Sequence, residues 1–78
     1  MNKKRREHIQ KILDERFEIA LDTEKRMHND SSTFLPNNPD FIYYKAMCNL
    51  LVEMGYCWER KWNETTQRAH HYIEREEL

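Results

Sequence analysis

A chain of 78 residues makes one domain at most, with a core that is marginal unless it is stapled, metal-bound or extended by oligomerisation. Charged residues are 35% of the chain, yet the formal net charge is only -1, which excludes a protein that binds nucleic acid by bulk positive charge. The opening Met1-Asn2-Lys3-Lys4-Arg5-Arg6-Glu7 has no apolar stretch behind it, so neither a signal peptide nor a membrane span is expected, and a cytoplasmic protein with reduced thiols is.

The first element in the chain is a helix over about residues 3–28. Ile9, Leu13, Phe17, Ala20, Glu24 and Met27 follow a period near 3.6 residues, the mark of one helix face. Glu7 and Lys11 supply an i,i+4 charge pair on the outside. Lys3, Lys4, Arg5 and Arg6 crowd the first turn, where their charge opposes the helix dipole. Four neighbouring cations can neutralise phosphates, so these residues carry the alternative reading of the chain, a nucleic-acid-associated accessory regulator contacting phosphates through a basic arm.

Residues 29–38 form a loop, with Ser31-Ser32-Thr33 and Pro36 to interrupt any helix. Phe34 and Leu35 are too apolar for a free loop and are expected to fold back and close one end of the bundle. Asn38 is a strong N-cap, with Pro39 at the first helical position and Asp40 in the first turn.

From Pro39 the spacing predicts a second helix to about residue 76. Tyr44, Leu51, Trp58, Thr65 and Tyr72 recur every seven residues, and Met47, Met54, Trp62, Ala69 and Ile73 lie beside that row. Glu74, Glu76 and Glu77 crowd its end, again with the wrong sign for the dipole. Such a helix would be roughly 58 Å long, against a radius of gyration of about 11 to 12 Å for a compact chain of this size. Its last dozen residues would overhang a simple hairpin. The fold class expected is therefore all-α: a long helical hairpin that dimerises into a four-helix bundle. The alternative is a monomeric three-helix bundle, with a break at Gly55 as C′ followed by Tyr56, or at Asn63 as a new cap.

Few residues point to chemistry. His70, His71 and Glu74 share a short stretch, but adjacent histidines on a helix point about 100° apart, and a solvated or interfacial pair is expected rather than a metal site. Cys48 and Cys57 lie nine apart and would sit on opposite faces of a helix, unable to pair. Neither has a histidine within a turn to activate it. Asn63-Glu64-Thr65 matches a glycosylation sequon, which carries no weight without a secretory signal. A glycine-rich phosphate loop is excluded because Gly55 is the single glycine. No catalysis and no cofactor are expected.

The aromatic stripe is different, since tryptophan and tyrosine dominate protein interfaces. Leu51, Trp58, Trp62, Ala69, Tyr72 and Ile73 are the expected interaction surface. The function read from the sequence is a small non-enzymatic interaction module, self-associating as a homodimer and able to take a further protein partner, with an adaptor or regulatory, inhibitory role.

Overall fold

Asn2 starts the first helix by accepting the Arg5 amide on its side chain at 2.8 Å, which satisfies one of the donors that every helix N-terminus leaves free. The computed structural model describes residues 1–75. In it α1 runs Lys3–Arg26 and α2 Pro39–Glu53, followed by two strands, β1 Tyr56–Asn63 and β2 Arg68–Arg75. Helix α1 ends in a Schellman arrangement: His28 at φ 57 donates to the Lys25 carbonyl and Asn29 to that of Glu24, both at 3.1 Å. Lys25 and Arg26 in that last turn suit the dipole.

The loop is held by its own side chains. The Asn29 side-chain oxygen accepts the Ser31 amide, and the Ser31 hydroxyl accepts the Thr33 amide, each at 3.1 Å. Phe34 does fold back, edge-on to Phe17 with ring centroids 5.8 Å apart and stacked on Phe41 at 4.2 Å. Beneath it the buried Glu24 carboxylate accepts the Leu35 amide at 2.7 Å and the Asn29 and Asn38 side-chain amides at 2.5 and 2.6 Å. Asn38 is fully buried and also caps α2, accepting the Asp40 and Phe41 amides at 3.0 and 3.1 Å. One residue thus starts α2 and fixes it to α1.

Helix α2 stops at Gly55, whose φ of 87 favours glycine and whose amide donates to the Val52 carbonyl at 3.0 Å. The chain beyond it is extended. β1 and β2 pair antiparallel, with Trp58 opposite Ile73, Arg60 opposite His71 and Trp62 opposite Ala69. The reversal uses Asn63, whose side chain accepts the Thr65 and Thr66 amides at 2.9 and 3.1 Å, and Gln67 at φ 56.

This overturns the expected all-α fold. Neither the continuous helix to about residue 76 nor the dimeric four-helix bundle built on it exists, because the chain is an α+β fold of two helices and a two-stranded ribbon. The three-helix alternative fails too: its break at Gly55 is real, but a strand follows it, and Asn63 opens a turn rather than a helix. The longest dimension of the molecule is 41 Å, too short for the expected helix. Glu76, Glu77 and the expected end of that helix lie outside the described residues.

The ribbon solves the coverage problem within one chain. Its inward row of Ala69, His71 and Ile73 is buried and joins Leu13, Phe17, Tyr44, Cys48 and Leu51 in one core. The outer edge of β2 is covered by α1, since the His71 amide donates to Asp14 at 2.7 Å and the Ile73 amide to Gln10 at 2.8 Å. An edge left bare would invite strand pairing with other chains.

Candidate functional site

Asp14 is the hub where helix and ribbon meet. Its Oδ1 accepts both the His71 amide and the His71 ring Nδ1 at 2.7 Å, and its Oδ2 lies 3.0 Å from His70 Nδ1. A carboxylate only accepts, so both rings carry their proton on Nδ1. In the neutral His71 ring Nε2 is then an acceptor and takes the Tyr44 hydroxyl, while the Thr66 hydroxyl lies against His70 Nε2, each at 2.7 Å. Arg60 completes the line by donating to the Tyr44 oxygen at 3.5 Å.

Burial governs the protonation of this line. It holds the His71 pKa below its usual 6.5 in spite of the Asp14 hydrogen bond, so the ring is neutral at pH 7. Tyr44 is pushed up to about 12, by burial first and by Cys48 second, with Arg60 pulling the other way. Burial also raises the Cys48 thiol. Tyr44 and Cys48 are thus held protonated, and the line from Arg60 to Asp14 works as a chain of donors that pins β2 onto α1.

A second feature lies on the far side of α2 from Tyr44, Cys48 and Leu51. There Ile42, Tyr43, Leu50 and Met54 are each more than half exposed, with exposed Ala46 between them. Helix α2 is thus apolar on both sides. Arg16 of α1 covers one face of the Tyr43 ring, its guanidinium carbon 4.4 Å from the centroid.

The residues singled out from the sequence separate into three environments. Leu51, Ala69 and Ile73 are core. Trp58 is half-buried, edge-on to Tyr44 at 6.4 Å. Trp62 and Tyr72 are exposed, but on opposite faces of the ribbon, because Trp62 shares the inward row with Ala69 while Tyr72 stands opposite Glu59 on the outer one. The six do not form one patch. Lys3, Lys4 and Arg5 are exposed at the start of α1 and Arg6 is half-buried; Lys3 lies 4.0 Å from Glu7. His70 and His71 converge on Asp14 while Glu74 is exposed, and among the described residues no three potential ligands form a metal-binding group. Cys48 is buried, Cys57 exposed, and both are free.

Sequence reasoning missed Asp14, Arg60 and the outward residues of α2. The α2 face had a signal: between Asp40 and Glu53 the only charge is Lys45, an unusually bare stretch in so charged a chain. Asp14 had none, being one of many acidic residues along a charged helix. No helix among the described residues is long and apolar enough to cross a membrane. No protein family, curated protein or solved structure matches this chain.

Proposed function

We propose that this protein is a small interaction module that self-associates through the outward face of α2. The observation that carries the reading is the exposed apolar face opposite that helix's core side, formed by Ile42, Tyr43, Ala46, Leu50 and Met54. The face also carries the exposed Asn49 and Glu53, but apolar residues turned to solvent opposite a core-facing side are unusual for a surface helix, and exposed apolar patches mark contact surfaces.

The spacing favours a second copy as the occupant. Ile42, Ala46 and Leu50 stand four residues apart and so form a ridge along the helix. Turned about a two-fold axis through Ala46, the same ridge places Ala46 against Ala46 of the second copy and Ile42 against Leu50, twice. The small central residue lets the helices approach, and the contact is self-complementary, as an isologous interface must be. One helix pair is a small interface, so a dissociation constant on the order of micromolar is expected. The ribbon's outer face, with Tyr72 and its neighbour Lys61 at 5.7 Å, remains free for a further partner in an adaptor or regulatory role. Two free thiols, one of them exposed, suit a reducing compartment such as the cytoplasm.

Sedimentation equilibrium tests the reading. A mass rising from monomer to dimer across the micromolar range is expected, and Leu50→Glu should hold the protein monomeric with its circular dichroism unchanged. Ala46→Cys in a Cys57→Ser background should form a disulfide dimer on mild oxidation. A strict monomer at every concentration would remove the proposal, and a dimer indifferent to Leu50→Glu would move the interface elsewhere.

A further inference from the structure

The loop, α2 and β1 enclose an open cleft of about 360 Å³, at the small end of the range for organic ligands. Four of its walls are aromatic, Phe34, Phe41, Tyr44 and Trp58; its charged groups are Lys45 and Arg60, and no carboxylate lines it. Neither cation forms an ion pair with another described residue.

Arg60 is out of place by pattern. It occupies the inward row of β1 between Trp58 and Trp62, where alternation calls for an apolar side chain. Arg60 is exposed, but its guanidinium lies 4.5 Å over the Phe17 ring and donates to the Tyr44 hydroxyl at 3.5 Å. Tyr44 is in turn fixed by His71. The donor line described above therefore ends in a positioned cation at an aromatic cleft. On the loop side Ser32 and Thr33 line the same cleft.

We propose that this cleft binds a nucleoside monophosphate. The flat base meets the half-buried Phe34, Phe41 and Trp58, since every base has a face that stacks on such rings. The phosphate meets Arg60 and Lys45: two cations match its dianion, and the planar guanidinium fork matches a pair of phosphate oxygens. Ser32 and Thr33 offer hydrogen bonds to the sugar. This site is separate from the outward face of α2, and its occupancy does not depend on self-association.

The chain holds only two tryptophans, so Trp62→Phe leaves Trp58 as the sole indole and a fluorescent reporter of the cleft. Titration of that variant with adenosine monophosphate should change the emission saturably, and inorganic phosphate or adenosine alone should bind at least about tenfold more weakly. Arg60→Gln and Lys45→Gln should each weaken the nucleotide severalfold and flatten its salt dependence. Lys45 is exposed, so its substitution reads binding even if Arg60→Gln disturbs the fold, which circular dichroism would reveal. Absence of a saturable change, or affinity untouched by Lys45→Gln, overturns the proposal. So does phenyl phosphate binding as tightly as the nucleotide, which would reassign the cleft to a phosphorylated tyrosine on a protein.

Discussion

Glu24 and Asp14 both reach from α1 to later segments, yet they tie the molecule together in different ways. Glu24 gathers the loop and the cap of α2 through the Asn29 and Asn38 amides and the Leu35 backbone, none of which titrates. Asp14 gathers β2 through two imidazoles and one amide. One knot is fixed wherever the carboxylate is charged, and the other also depends on the state of a histidine. Joining α1 to α2 and joining the helices to the ribbon should therefore respond to different pH windows.

The largest effect expected is at the Glu24 knot. Asn38→Ala removes the cap of α2 and one of the donors to Glu24 together, so it should cost about 2 to 3 kcal/mol in urea unfolding. A cost no larger than that of an exposed cap would show that the knot adds nothing to the cap.

Next comes the Asp14 side. Tyr44→Phe leaves His71 Nε2 buried without a donor and should cost about 1 to 2 kcal/mol. The pH dependence sharpens the contrast. Burial lowers the His71 pKa from 6.5, so the unfolded chain takes up that proton first, and this contribution is complete above about pH 6.5 and lost as the pH falls below it. For Glu24, burial works against the charge but the hydrogen bonds from Asn29, Leu35 and Asn38 outweigh it, leaving the pKa below 4.5. Its contribution is complete above pH 4.5 and lost as the pH falls below that. Urea midpoints followed downward in pH should show both declines; His71→Gln should erase the upper one and Glu24→Gln the lower. Loss of both in either variant would mean that the two knots act as one.

The ends of the two helices give the smallest effects, with opposite signs. A Cβ at Gly55 meets no atom within 4 Å, but its φ of 87 strains any other residue, so Gly55→Ala should cost about 1 kcal/mol. His28 already bears such strain at φ 57, and His28→Gly should raise stability by up to about 1 kcal/mol. A thermal melt reads both.

Local signals in the sequence determined the first two thirds of the fold. Asn38-Pro39-Asp40 fixed the start of α2, the period from Ile9 to Met27 fixed α1, and the misplaced Phe34 marked a loop that returns to the core. Each depends on neighbours a few residues away, which is the range over which sequence spacing carries information. Beyond Gly55 the same tool failed for a definite reason. Trp58 and Trp62, like Ala69 and Ile73, are four apart, and a spacing of four puts two residues on one face of a helix and also on one face of a strand. Ala69 and Tyr72, three apart, distinguish the two: a helix would put them on one side, and here Ala69 is buried and Tyr72 exposed. Only tertiary contact decided between them, because α1 offers the β2 edge the Asp14 and Gln10 acceptors that a helix there could not use. The same contact assembled the line from Arg60 through Tyr44 and His71 to Asp14, whose members are scattered across all four elements and meet only in the folded chain.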